Sequence, residues 1–455
     1  MARRTQGRND VSDRDARVLA RNSTELTRRG LFGRSLASGL GVSLFGGPIA
    51  IAAARPSGGA ADGYGPLGPT DANGLQLPAG FSSRIVGVTN QQVGSTGHVW
   101  HSRPDGGAAF AADGGGWVYV SNSEEDDGLG GVGVLRFDSD ANLIDAYSIL
   151  TGTSRNCAGG PTPWGTWLSC EENSIGEVWE CDPLTPGSQG VVRPWMGKFR
   201  HEAAAVDPVH QHVYMTEDRG DGLLYRFIPS AYPDLSAGVL EAAEILDPMG
   251  QGAITPGEVR PLAWHAVPDP TVSQGTSTRL QVPDATSFDG GEGVWYESGE
   301  ISFASKSDNR VWRVNTATNE ISILYDLATT TMPELSGVDN LCVTECGDVF
   351  VAEDSGNMQI VALTPAGNVK PIMQLNGTAD SEITGPCLSP DGQRLYFSSQ
   401  RNPGVTYEVH GPFLGPRVAV PAMGSFGTAL FAAMVAGAGA WTLRDRGATE
   451  SGQSP

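Results

Sequence analysis

One stretch of the chain sets a soft ligand beside hard ones: Asn156 to Asn173, reading NCAGGPTPWGTWLSCEEN. Cys157 precedes a flexible Gly159-Gly160 pair and a rigid Pro161-Thr162-Pro163-Trp164 turn. A short β-like run, Thr166 to Ser169, then delivers Glu171 and Glu172. A thiolate and two carboxylates carried to one end of a sheet form a mixed ligand set for a metal ion. The rest of the chain must supply the remaining ligands and hold them in place.

The elements that would do so repeat. Six segments share one plan of an apolar strand, a turn and an aromatic-rich second strand: from Gly107, Asn156, His201, Gly291, Asp339 and Gly385. Asp113-Gly114, Asp207-Pro208, Glu297-Ser298-Gly299, Cys346-Gly347-Asp348 and Pro390-Asp391-Gly392 fall where hairpin turns belong. Tyr119, Tyr214, Phe303, Phe350 and Tyr396 follow in phase. Spacings of about 45–50 residues are those of four-stranded blades, and the fold expected over residues 75–412 is an all-β, six-bladed β-propeller. Outer strands are expected at Val132 to Asp138, Leu223 to Ile228 and Val311 to Asn315. The interval from Glu202 to Glu292 is nearly double. Its interior, Pro229 to Ser287, reads as an insertion with a helix at Ala237 to Ile245, or as a degenerate seventh blade.

Inner strands of a propeller line the axis, so matched positions converge there. Strand openings hold Cys157, Glu202, Glu292 and Asn340, and strand ends hold Glu124-Glu125, Glu171-Glu172, Glu217-Asp218 and Glu353-Asp354. A single such pair would be an ordinary solvated turn. Four in phase repel one another unless cations sit between them. Carboxylate and amide oxygens suit calcium, magnesium or manganese, whereas the thiolate points to a transition ion, with iron plausible beside calcium. His201 has either a structural or a direct role, and His98, His101, His210 and His212 are structural. Near the mouth, Arg200, Arg219 and Arg310 are candidates to hold an anion.

A net charge of −21 over 455 residues argues against nucleic acid as a partner. Gly 61 and Pro 30 suit many short strands joined by turns. None of the six cysteines forms a C-x-x-C pair, so zinc-ribbon and thioredoxin chemistry have no support. Serine-hydrolase elbows, zincin helices and P-loops are absent as well. The ends read as addresses. Arg28-Arg29 before the apolar Ser35 to Ala54 resembles a twin-arginine export signal over residues 1–54, and 55–74 is a flexible lead-in. Residues 413–455 form a linker and tail. Within it, Val418 to Leu443 runs 26 residues without a charge before Arg444, which fits a membrane anchor or a sorting tail.

The Cys157 motif, FRHEAAAVDP, YMTEDRGDGLLYRF, FDGGEGVWYESGEISF, SDNRVWRV and GPCLSPDGQRLYFSSQ together resemble the PhoX-type alkaline phosphatase family, in order over most of residues 80–410. The resemblance implies an exported propeller phosphatase with iron and calcium at the channel mouth, acting on small phosphomonoesters. It implies that Cys157 ligates iron and that Glu171, Glu172, Glu202, Glu292, Asp218 and Glu353 are metal ligands. Cys157, Glu202 and Glu292 are then catalytic, and Arg310, Asp339 and Asn340 face substrate. Val338 stands where the family pattern has proline, so that loop is expected to differ. Implied partners are the twin-arginine machinery and, through the tail, the membrane or cell envelope. The alternative is a non-catalytic cell-surface propeller that uses calcium for stability and serves in binding or scaffolding.

Overall fold

The computed structural model describes residues 64–377 and 380–413. These residues hold twenty-six strands and three short 3-10 turns, with no α-helix among them. Antiparallel meanders succeed one another over residues 104–153, 156–192, 201–245, 291–326, 338–375 and 383–410. The last meander has only three strands of its own. Its fourth is Ser82–Val88, which pairs with Val405–His410 and so ties the beginning of the described chain to its end.

The first strand of each meander packs on the first strand of the next. Pro104–Ala111 meets Asn156–Pro161, followed by His201–Asp207, Gly291–Glu297, Val338–Val343 and Ile383–Leu388, which returns to Pro104–Ala111. The ring closes, and the arrangement is propeller-like. The phase-matched aromatics lie between the sheets: Tyr119, Tyr214, Phe303, Phe350 and Tyr396 are all buried. Burial of each contributes about 2–3 kcal/mol. The turns follow their chemistry. Ser298 and Gly299 both take positive φ, 51° and 89°, as a tight two-residue hairpin requires. The expected outer strands are present as Gly130–Phe137, Leu224–Ala231 and Arg310–Asn315.

One expectation fails. Ala237 to Ile245 is not a helix but most of the strand Asp234–Ile245, the fourth of its meander. Its alanines and glutamates favour a helix locally, but pairing overrides propensity: Leu240 sits opposite Phe227 and Ala243 opposite Trp264. Gly238 is needed there, because a Cβ would collide with the Ile228 carbonyl and the Phe227 ring. Residues 246–290 form no further meander. They supply one strand, Val259–Ala266, which pairs with Asp234–Ile245 on one side and Glu320–Asp326 on the other. That bridge fuses two meanders into a nine-stranded sheet.

Every inner strand carries the same irregularity. Register shifts fall between Pro104 and Gly107, Asn156 and Gly159, His201 and Ala204, Gly291 and Val294, Val338 and Leu341, and Thr384 and Cys387. A bulge leaves a residue unpaired and re-aims its side chain. Here six bulges lie at one end of the ring. No helix among the described residues is long and apolar enough to cross a membrane. The Arg28-Arg29 segment and Val418 to Leu443 lie outside the described residues.

Candidate active site at the mouth of the ring

The bulges define two rings of side chains. The position after the first paired residue holds Asp105, Cys157, Glu202, Glu292, Asp339 and Thr384. The position after each second strand's matching residue holds Glu124, Glu172, Asp218, Lys306, Asp354 and Gln400. All but Asp354 line one pocket of about 180 Å³, together with Arg155, Arg200, Glu382 and Arg401. Further along the inner strands the axis narrows to about 20 Å³ between small residues such as Gly106, Ala158, Ala203 and Gly293.

Eight carboxyl side chains face four cations in this pocket. Ligand atoms of seven of these acids, with Cys157 and the adjoining Asp354, gather within 4.8 Å of one another into the sets Cys157–Glu172–Glu202, Glu202–Glu292–Asp339, Asp105–Glu124–Glu382 and Asp339–Asp354–Glu382. The Cys157 thiol donates to Glu202 Oε1 at 3.1 Å. Asp105, Glu202 and Glu292 are almost wholly buried. Burial, and then neighbouring acids, push the carboxyls of Asp105 and Glu202 well above the usual range. Burial raises Glu292 too, although Lys306 opposes it. The Cys157 thiol is raised by burial first and by Asp105 and Glu202 next. Glu382 is pushed up to about 7, chiefly by burial.

The residues fit metal ions. The Oε1 atoms of Glu292 and Gln400 are buried without a hydrogen bond, and Glu292 Oε1 faces the Lys306 ammonium at 3.2 Å. The Gln400 amide meanwhile donates to Asp105 at 2.5 Å and Glu124 at 3.0 Å. A bound cation would supply what these oxygens lack and relieve the repulsion among the acids. The donor types divide by place. The set with Cys157 is mixed soft and hard, and the other three hold oxygen alone.

Of the residues singled out in the sequence, Glu124, Cys157, Glu172, Glu202, Asp218, Glu292, Asp339 and Arg200 reach the pocket. Glu171 and Glu353 do not. Side chains alternate along a strand, so only one acid of each adjacent pair can face inward. Glu171 accepts from the amides of Ser154 and Glu177, and Glu353 from those of Ser336 and Gln359. Arg310 is held by Asp326 at 3.0 Å and Asp308 at 3.2 Å, away from the pocket. Arg219 is likewise not among the lining residues. Asn340 lies one residue beyond the ring. It donates to Asp339 at 3.0 Å and Glu202 at 3.4 Å and accepts from the Gly385 amide, bracing both acids. His201 is buried, stacked on Phe199 with ring centroids 3.6 Å apart, and burial lowers its pKa to about 3. Sequence reasoning missed Asp105, Arg155, Lys306, Glu382, Gln400 and Arg401. Counting the bulge into the repeat would have found Asp105, Lys306 and Gln400, since each occupies a ring position.

The family model for alkaline phosphatase PhoX matches residues 130–179, 173–325 and 325–404. Among solved structures the chain is similar to Pseudomonas fluorescens PhoX in complex with vanadate, a transition-state analogue. The TM-score is 0.65 at 16% identity, covering 78% of this chain and 99% of that one. A gluconolactonase, XC5397 from Xanthomonas campestris, is similar at a TM-score of 0.44 and 12% identity, covering 77% of this chain and 98% of that one. No curated protein matches the chain in sequence.

Proposed function

The chain belongs to the alkaline phosphatase PhoX family, and from that premise we propose that it hydrolyses small phosphate monoesters outside the cytoplasm with iron and calcium in the ring pocket. The observation that carries this reading is the convergence of a thiol and eight carboxyls from successive meanders on one pocket. Cys157, Glu172 and Glu202 would hold iron. Asp105, Glu124 and Glu382, with Glu292 and Asp339, would hold calcium. When bound, such ions supply positive charge to the phosphoryl oxygens and to the in-line transition state.

The chain's own side chains set the stage for that charge. Asn340 fixes the orientation of Glu202 and Asp339. Arg155 joins Glu124 at 2.7 Å to Glu172 at 2.6 Å, and Arg200 contacts Glu172 from the other side. Glu172 therefore meets an ion in one defined orientation. We count the six meanders as the six blades of a propeller. Arg28-Arg29 before an apolar stretch supports export by the twin-arginine route, and Val418 to Leu443 supports attachment to the cell envelope.

The test is turnover of p-nitrophenyl phosphate by the purified full chain, before and after a calcium chelator and again on adding calcium back. The reading expects turnover that is lost and then restored. Calcium-bound, folded protein with no turnover under any of these conditions would overturn it and leave the scaffolding role.

A further inference from the structure

Four cations line the pocket, and each of them contacts carboxylates. Arg155 spends its guanidinium on the Glu172 carbonyl at 3.0 Å and on the carboxylates of Glu172 and Glu124. Arg200 bridges Glu172 and Asp218, and Arg401 holds Glu382 at 2.5 Å. Lys306 differs. It occupies the ring position that Glu124, Glu172, Asp218 and Asp354 occupy in four other meanders, so it reverses the sign of charge there. Its ammonium lies among three carboxylates, 3.0 Å from Asp354, 3.2 Å from Glu292 and 3.7 Å from Asp339. The side chain remains 35% exposed to the mouth.

The backbone beside it differs too. Two residues before the ring position, the second and third meanders carry Arg155 and Arg200, and the fourth carries Gly290. Gly290 takes a φ of 72°, and a Cβ there would stand 3.6 Å from Lys306 Cβ and 3.5 Å from Asp218 Oδ1. The Lys306 amide donates to the Gly290 carbonyl at 2.7 Å, which fixes where the side chain starts. Beyond that point a flexible four-carbon stem carries a compact charge, unlike a guanidinium held as a fork. Lys306 is thus the cation set on the ring itself, on a stem able to turn from carboxylates to an arriving dianion.

We infer that Lys306 is the substrate-binding cation of the pocket, the side chain that meets the phosphoryl group. This rests on the phosphatase reading above. The probe is inorganic phosphate, titrated by calorimetry into metal-loaded full-length wild type, Lys306→Met and Lys306→Arg, with metal content measured on each sample. Losing one charge-assisted contact should weaken phosphate binding about tenfold or more in Lys306→Met. Lys306→Arg should recover part of that loss, KM should rise more than kcat falls, and metal content should be unchanged. Unchanged phosphate affinity in Lys306→Met, or metal lost in parallel with phosphate, overturns the inference alone. Wild-type protein that holds neither metal nor phosphate refutes the phosphatase reading, and the inference falls with it.

Discussion

Glu217 and Asp218 are adjacent acids with opposite surroundings, and Glu217→Gln tests that division. Glu217 is buried, accepts from the Tyr225 hydroxyl at 2.7 Å and lies 3.8 Å from Arg279. Burial raises its pKa from 4.5 to about 7. Below pH 4.5 the carboxyl is neutral in the folded and the unfolded chain alike. Between 4.5 and 7 only the folded chain keeps the proton, so its contribution to stability is lost as pH rises through 7. At 1.36 kcal/mol per pH unit the loss amounts to about 3 kcal/mol. Glutamine keeps the shape and still accepts from Tyr225, but it never ionises. Glu217→Gln should therefore match wild type near pH 4.5 and exceed it by about 3 kcal/mol at pH 8. Urea unfolding of both proteins across this range provides the measurement, and their difference cancels every other titration. A variant less stable than wild type at pH 8, or an advantage that does not change with pH, would refute the assignment.

Gly160→Ala places a methyl group on the Ala204 carbonyl of the neighbouring inner strand, where backbone cannot yield. It should cost about 3 kcal/mol or more, read as a lowered urea midpoint, and a cost under about 1 kcal/mol would contradict the packing. Asp218→Asn removes a pocket acid and should lower turnover about 10–100-fold with little change in unfolding. Glu171→Gln disturbs only the contacts to the Ser154 and Glu177 amides. It should keep turnover within about twofold while losing about 1–3 kcal/mol of stability. Equal losses of turnover in the two variants would mean that Glu171 does reach the metals.

The repeat was legible because its signals are local. A turn pair such as Ser298-Gly299 and an aromatic such as Phe303 are dictated within a few residues, and they recur in phase. The site was legible in part for the same reason, since Cys157, Glu202 and Glu292 open their strands conspicuously. The rest depends on partners distant in sequence. The bulge at Val338 to Leu341 makes Asp339, rather than Asn340, the equivalent of Cys157. Nothing adjacent to Asp339 announces that. Strand alternation, not residue type, decides that Glu172 faces the pocket and Glu171 does not. Asp234–Ile245 became a strand because Leu224–Ala231 and Val259–Ala266 flank it. Ser82–Val88 closes the ring by pairing with a strand at the far end of the described chain, and no local pattern encodes that meeting.

The central claim is that Cys157 joins successive meanders into one iron-dependent site, and elemental analysis paired with turnover on Cys157→Ala tests it most directly. Removal of one half-buried thiol leaves the sheets intact, so the variant should melt near wild type and retain calcium. Iron and p-nitrophenyl phosphate turnover should disappear together. A folded Cys157→Ala protein that keeps full turnover would contradict the account.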